Sequence, residues 1–343
     1  MSTHTPRILV LGAITVDDNR VLGPETPFKT DGKVPAQSSE IRLGGGAGNC
    51  VQALKKLDEA FGTRTDVKLI TRLGRPPKSN LRARLAHLAA TEILKDSDIE
   101  YIDAVDGESA LAFNSVTEHG GGRSIVKDVV GTLHSMSAGM DETIEREVAE
   151  SDIVFIDPSK VRMGFMAARA ANKYNKPCVV DWGQSAWPLE PTRADWTNEI
   201  ISRADVLMVP SDAVVAGMED NIEDPEQLFG RLVQDYRIPN VFMSDGSQPV
   251  RASLMGQYFE IPVQEWKGQK YSLAAGDTRN AGFLHHLARG HDVLSAGQFG
   301  TAVASVKIRY PGLQWADHIK EDIPSQLTFS LDPGDDEKNY IIV

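Results

Sequence analysis

Short apolar runs alternate along the chain with stretches in which apolar residues recur at helical spacing. Each run has the length of one buried strand, and the runs cover residues 8–11, 67–73, 153–156, 178–180, 206–209 and 241–243. Between them, residues 81–94 and 164–174 place apolar side chains three and four positions apart. Apolar strands that alternate with amphipathic helices predict an α/β fold with a doubly wound, mainly parallel sheet.

Two other regions have an extended but less apolar pattern. Residues 18–42 are rich in Pro, Gly, Thr and Lys and alternate weakly around 34–41, which predicts a partly extended flap. Residues 110–117 and 123–130 are two extended runs joined by a glycine triplet, and this is a hairpin signal.

Acidic residues follow two of the apolar runs directly. Asp157 and Asp181 each stand where a buried strand ends, on the side of a parallel sheet that usually meets ligand. Such a carboxylate could reach a substrate or a metal-bound water, and it could equally cap the following helix. Both interpretations remain open for both residues.

The stretch 273–284 is a turn of small residues that opens directly into a helix. Ala274, Ala275 and Gly276 let another molecule approach the backbone, and the N–H groups of a first helical turn bind anions. Apolar residues then recur at helical spacing until Gly290, a plausible C-terminal stop. At the mouth of this turn, Asp277 is placed to accept a proton.

These residues carry a resemblance to a known family. The sequence Ala274-Ala-Gly-Asp-Thr-Arg-Asn-Ala-Gly-Phe-Leu284 resembles the C-terminal signature of the ribokinase, or PfkB, family of carbohydrate kinases. Gly44-Gly-Gly-Ala-Gly-Asn49 is similar to the N-terminal glycine-rich signature of that family, and Gly12 followed by Asp17 gives a third match. The motifs occur in the order that the family shows, which makes the combined signal strong.

The resemblance implies a fold and a division of the chain. We expect a single ribokinase-like domain over 1–343, an α/β/α sandwich with a mainly parallel central sheet and a small β-sheet lid. The lid would be formed by about 18–43 and 108–130 and would close over the substrate. Residues 331–343 would form an acidic C-terminal tail.

The resemblance also implies an activity, namely ATP-dependent phosphorylation of a hydroxyl of a sugar or sugar derivative. Asp277 would be the base, and the 274–277 turn would be the anion hole, with ATP and Mg²⁺ as cofactors and unknown metal ligands. The remaining site residues implied are, for substrate, Asp17, Gly45, Gly46 and Asn49, and, for nucleotide, Ser244, Gly246, Thr278 and Asn280. A nucleoside kinase of the same superfamily and a non-catalytic sugar- or nucleotide-binding member are the alternatives.

Several positions depart from the family pattern. Val214 replaces a Glu that helps to organise magnesium, and Pro249 replaces a glycine of the nucleotide loop. Tyr271 replaces an Asp that binds a monovalent cation in potassium-activated members, so the resemblance does not imply potassium activation. Arg279 replaces a Phe, and it either adds a cation near phosphate or projects to solvent.

Charge and composition narrow the classes of partner. The net charge is −12, from 48 acidic against 36 basic residues, and this disfavours nucleic-acid binding. The two cysteines stand in apolar surroundings without a metal-binding spacing, which predicts buried, reduced thiols. No apolar run reaches about 18 residues, so we expect no membrane span and a cytoplasmic protein that acts on a small molecule. In the family that the chain resembles, lid strands often pair between two subunits. The resemblance therefore implies a possible homodimer that forms through the lid.

Overall fold

The structure is a computed structural model of the whole chain. It describes residues 4–21, 38–76, 78–79, 81–105, 113–119, 122–128, 136–158, 161–183, 198–211, 225–235 and 237–323. The expected tail at 331–343 lies outside the described residues, as do Val214 and large parts of both lid segments.

Thirteen strands and eight helices have defined bounds in the described part of the chain. The strands are β1 Arg7–Leu11, β2 Thr15–Val21, β3 Ser38–Gly44, β4 Asp66–Thr71, β5 Glu100–Asp103, β6 Phe113–His119, β7 Gly122–Asp128, β8 Ile153–Ile156, β9 Cys178–Asp181, β10 Val206–Pro210, β11 Asn240–Ser244, β12 Val250–Leu254 and β13 Gln257–Ile261. The helices are α1 Gly46–Phe61, α2 Leu81–Asp96, α3 Met140–Glu150, α4 Val161–Lys173, α5 Pro225–Asp235, α6 Ala275–Leu287, α7 Val293–Lys307 and α8 Trp315–Asp322.

Nine strands form the central sheet, in the order β13-β12-β11-β10-β9-β8-β1-β4-β5. The seven strands from β11 to β5 pair in parallel, and β12 and β13 extend the sheet antiparallel. Parallel pairing brings the carboxyl ends of the strands to one edge, where ligands bind in open α/β sheets. Asp157 and Asp181 both lie at this edge, as their positions in sequence predicted.

The sheet has a hydrophobic core on each face. Along β1, Ile8 and Val10 join one core, and Leu9 and Leu11 join the other. The first core contains residues of α1, α6, α7 and α8, and the second contains residues of α3, α4 and α5. This arrangement confirms the predicted α/β/α sandwich with a mainly parallel central sheet.

A second, smaller sheet has the order β3-β2-β6-β7. Strand β2 pairs antiparallel with β3 and parallel with β6, and β6 and β7 form an antiparallel pair. The predicted flap and hairpin therefore come together in the small sheet that was expected. Its first strand begins at Thr15, before the predicted start of the lid.

Two features of the fold differ from the sequence prediction. The apolar residues after the glycine-rich motif, Val51, Ala53, Leu54 and Leu57, are typical of a short helix, but helix α1 begins inside that motif, at Gly46, and continues to Phe61. The β12–β13 hairpin was not predicted, because strand β13 is largely exposed and has no continuous apolar run. Across the described residues, no helix is both long and apolar enough to span a bilayer.

Candidate active site

The turn before α6, predicted from the sequence to bind an anion, leads into the helix through a left-handed alanine. Ala274 precedes the helix in the left-handed region, with φ of 62° and ψ of 16°, an unfavourable conformation for a residue with a Cβ. The N–H of Thr278 donates to the carbonyl of Ala274 at 2.9 Å and so closes the first helical turn. Gly276 is exposed, and a Cβ placed there would meet nothing within 4 Å. The first turn of α6 therefore has open space beside Gly276, and anion binding there stays a prediction.

Asp277 is held by a residue from the other end of the sequence. Asn49 Nδ2 donates to Asp277 Oδ2 at 2.7 Å, across a separation of 228 residues. Asn49 stands in the first turn of α1, where its N–H bonds to the carbonyl of Gly45 at 2.9 Å. The first turns of α1 and α6 therefore meet at this carboxylate, and the two signature motifs form one site.

The glycine-rich motif packs against two other carboxylates. A Cβ at Gly44 would collide with the carboxyl group of Asp17, which is only 4% exposed. A Cβ at Gly46 would lie 2.9 Å from Asp157 Oδ2. Gly45 has a φ of 76°, and a Cβ there would lie 2.5 Å from the carbonyl oxygen of Ala13. Close packing alone accounts for these three glycines, and their contact with a substrate stays a prediction.

Asp17 and Asp157 are oriented by local hydrogen bonds. Thr15 Oγ1 donates to Asp17 Oδ1 at 2.8 Å, so the small sheet fixes its carboxylate beside the glycine-rich motif. The N–H of Ala13 donates to Asp157 Oδ2 at 3.3 Å. Asp157 therefore links the end of β8 to the residues that follow β1.

The carboxylates at this edge of the sheet raise the pKa of neighbouring groups. Burial, reinforced by the negative charges of Asp277 and Asp157, raises the pKa of Asp181 to about 8. Burial and the same three carboxylates raise the pKa of the Cys50 thiol well above its usual value. A strongly shifted carboxyl group in a cleft is typical of a functional site. The carboxyl group of Asp181 therefore retains a proton to higher pH than an ordinary aspartate does.

Arg279 is buried, so the interpretation in which its side chain projects to solvent is wrong. It is 6% exposed, and its Nε and Nη1 atoms are buried without hydrogen-bond partners in the described part of the chain. Burial lowers the pKa of this guanidinium, while the charges of Asp181 and Asp277 act in the opposite direction. Arg279 thus brings positive charge to the acidic cluster.

The predicted nucleotide-binding residues fall into two groups. Ser244 ends β11, and Gly246 follows in an exposed turn with a φ of 54°, which Gln248 closes by donating its N–H to the carbonyl of Asp245 at 2.9 Å. Pro249 is exposed between this turn and β12, so the loop differs locally from the family pattern. Thr278 and Asn280 are buried in α6, at 3% and 1% exposure, and follow the 274–277 turn in sequence.

The described residues do not by themselves provide a metal centre. No group of three or more His, Cys, Asp or Glu side chains is arranged there to hold an ion. After β10, Ser211 Oγ donates to Asp245 Oδ1 at 2.9 Å and ties the loops after β10 and β11 together. We assign no side chain of the chain to magnesium.

Comparison with known proteins agrees with this geometry. Residues 6–319 match the pfkB family carbohydrate kinase family. The chain belongs to this family. The match covers both signature motifs and confirms the resemblance drawn from them. No curated protein sequence matches the chain.

Solved structures of the same fold include kinases with different acceptors. A ribokinase from Giardia lamblia superposes with a TM-score of 0.69 at 15% identity, covering 92% of this chain and 99% of that chain. An Arabidopsis thaliana ribokinase complexed with ribose and ATP gives 0.64 at 18% identity, covering 95% and 100%. A Burkholderia thailandensis nucleoside kinase in complex with inosine gives 0.62 at 14% identity, covering 93% and 97%. Together with the family match, these support a sugar or nucleoside kinase.

Proposed function

We propose that this chain transfers the γ-phosphoryl group of ATP to a hydroxyl of a sugar or sugar derivative. The observation that carries the proposal is the meeting of Asn49 and Asp277 at the mouth of the anion-binding turn. The family match supports a kinase, and the ATP-bound ribokinase of the same fold supports ATP as the donor.

Asp277 is the base in this proposal. The amide of Asn49 donates to one of its carboxylate oxygens and so fixes the orientation of the group. A carboxylate held in this way can accept the proton of an acceptor hydroxyl as that oxygen bonds to the γ-phosphorus. The bond between the γ-phosphorus and the bridging oxygen breaks at the same time, and ADP leaves. General-base catalysis of this kind typically contributes about 10²–10⁴-fold.

The backbone of residues 274–277 is the anion hole. Gly276 is exposed at the start of α6, where the positive end of the helix dipole favours negative charge, and a Cβ there would meet nothing within 4 Å. Donors that are already oriented stabilise the charge on the transferred oxygens without reorganising. Phosphoryl transfer depends mainly on such positioning and electrostatic stabilisation, so few side chains are needed.

Magnesium would enter with the nucleotide phosphates and neutralise part of their charge. The described residues offer no ligand set for it, and we derive no step through the ion. Asp17, Gly45 and Gly46 surround the acceptor side of the site in this proposal. Ser244 and Gly246 would lie on the nucleotide side.

The proposal is tested by phosphoryl transfer from magnesium ATP to a panel of pentoses, hexoses, heptose phosphates and nucleosides, read by mass. We expect a phosphorylated sugar or sugar derivative as product. Asp277→Asn should bind ADP nearly as well as the natural protein while turnover falls by about 10²–10⁴-fold.

Other outcomes of the same panel would contradict parts of the proposal. Transfer only to nucleosides would show that the acceptor is a nucleoside and not a sugar, while the assignment of Asp277 as the base would stand. Full turnover by Asp277→Asn would show that the base is wrongly assigned. ADP binding without any transfer would favour a non-catalytic member of the family.

A further inference from the structure

Lys307 is a buried lysine whose charge is bound by main-chain carbonyl groups. It is the last residue of α7 and is 1% exposed. Its Nζ donates to the carbonyl oxygen of Tyr271 at 3.0 Å and to that of Tyr310 at 3.2 Å. At least two of the three donors of this ammonium group are therefore used on the backbone.

These contacts fix the segment that leads into the anion-binding turn. The N–H of Tyr271 donates to the carbonyl of Ile308 at 2.8 Å, while its own carbonyl accepts from Lys307. The carbonyl of the next residue, Ser272, accepts from the N–H of Ala275 at 3.2 Å, within the turn itself. The end of α7 thus holds both main-chain polar groups of Tyr271, just before the left-handed Ala274.

Two physical arguments indicate that the buried charge of Lys307 constrains the backbone of the turn. Burial of an ammonium group is costly, and a neutral side chain of similar length would fill the same space without that cost. A left-handed non-glycine residue also persists only where its surroundings over-determine the backbone. A cation that binds the carbonyl of Tyr271 supplies such a constraint, and the carbonyl-rich end of α7 stabilises its charge.

We propose that Lys307 is a positioning residue that acts as a built-in monovalent cation for the anion-binding turn. A compact cation bonded to two carbonyl oxygens is chemically similar to a dehydrated monovalent ion held by backbone carbonyls. Because the cation is covalently attached, the turn needs none from solution. The inference rests on the proposed function only in that the turn binds a phosphoryl group.

The test compares Lys307→Met with the natural protein in ammonium, potassium or choline chloride at constant ionic strength. Lys307→Met should lose about 10²-fold in kcat/KM in choline, because a small displacement of a binding turn has effects of that size. Ammonium or potassium should restore a substantial part of the loss by entering the vacated position. The natural protein should have the same activity in all three salts.

Lys68→Met is the matched control. Lys68 is also largely buried, but it pairs with Glu100 at 2.7 Å and Glu147 at 3.0 Å, near the start of β4 and away from the turn. Its replacement should lower the melting temperature without making activity depend on the cation. If Lys307→Met does not fold, Lys307→Gln takes its place, and circular dichroism checks both.

Three results would overturn the inference. One is an unchanged kcat/KM in a folded Lys307→Met. Another is a loss that no cation restores and that Lys68→Met reproduces at an equal fall in melting temperature. The third needs no variant and is a several-fold activation of the natural protein by potassium or ammonium over choline.

A failure of the proposed function would be recognised separately. If the natural protein transfers no phosphoryl group, the affinity for ADP, measured by calorimetry in the same salts, decides the inference. A weaker affinity in Lys307→Met that ammonium restores would support it. An equal affinity in both proteins would contradict it.

Discussion

Gly276 has no side chain at a point where the folded chain leaves room for one. A methyl group there would contact nothing within 4 Å, and the backbone needs no left-handed conformation. Gly276→Ala should therefore keep or raise the melting temperature, since alanine is favoured over glycine in a helix by about 0.5–1 kcal/mol. A ligand that approaches the amide would be obstructed, so kcat/KM should fall by about 10²-fold. Thermal unfolding and steady-state kinetics on one preparation test both effects.

Gly290→Ala is the matched control for this prediction. Gly290 follows α6 with a φ of 82°, so alanine there should lower stability by about 1 kcal/mol and leave turnover unchanged. A Gly276→Ala variant that keeps full kcat/KM would contradict an anion site at this amide.

The contacts of Arg279 and Asn49 could not be predicted from the sequence. The sequence identified Arg279 as a departure from the family pattern and Asn49 as a substrate residue. Whether Arg279 is buried depends on α7, where a Cβ at Gly300 would lie 2.5 Å from the carbonyl oxygen of Arg279. Asn49 was expected to contact the substrate, and its bond to Asp277 depends on how α1 packs on α6. Neither neighbour is close in sequence, so periodicity could not identify it.

Helices α1 and α6 are joined at their far ends by a buried polar network. The carboxylate of Asp58 accepts from Thr63 Oγ1 at 2.8 Å, from the N–H of Thr65 at 2.7 Å and from Arg289 Nη2 at 2.8 Å. Burial by itself would raise the pKa of Asp58. Hydrogen bonds from His285 and Thr63 and the charge of Arg289 outweigh this effect and lower the pKa to about 2. The network fixes the two helices whose first turns form the site.

The histidines at this end of α6 predict a loss of stability in acid. Burial lowers the pKa of His285 to about 4 and that of His286 to about 3, from an ordinary value of 6.5. Below 6.5 the unfolded chain binds protons that the folded chain does not, so stability falls as the pH decreases. Each histidine should contribute a slope of up to about 1.4 kcal/mol per pH unit between roughly pH 6 and 4.5. Urea unfolding across this range measures the slope.

His286→Phe should remove about half of that slope. The ring of His286 is stacked on His291 at 3.6 Å and on Phe299 at 4.7 Å, so a phenyl group preserves the stacking without titrating. His4→Gln, which changes an exposed histidine near the N-terminus, should leave the contribution of the two buried histidines in place. An unchanged slope in His286→Phe would contradict the assignment of the acid sensitivity to this residue.

At the scale of elements, the sequence predicted what continuous apolar runs determine. Strands β8, β9, β10 and β11 are buried on both faces, and their runs were recognised within two residues of their observed bounds. Strand β13 was missed because only Ile261 at its end is buried. Helix α1 begins at Gly46, inside a motif rich in residues that usually disfavour helices, because its packing against the sheet outweighs propensity.

The whole molecule keeps both thiols away from solvent. Cys50 and Cys178 are buried, at 0% and 1% exposure, and burial raises the pKa of each. A thiol reagent at pH 8 should therefore react with the native protein only as fast as the molecule opens, and at once in denaturant. Absorbance assays of thiol release follow both reactions.

Ser202→Cys provides the comparison for the thiols, since it places a thiol at an exposed position before β10. This thiol should react with the native protein immediately. Equal rates for the natural cysteines would show that the sheet does not enclose them as described.

The bond between Asn49 and Asp277 also sets an order of events when the protein is made. Ribosomes add about 5–20 residues per second, so the 228 residues between the two partners take about 10–45 s to synthesise. During that interval the first glycine-rich motif exists without its carboxylate partner, and β1 must wait for β8 before it is flanked on both sides. A nascent chain released before α6 would contain all nine strands of the central sheet and yet lack the carboxylate that Asn49 binds in the finished protein.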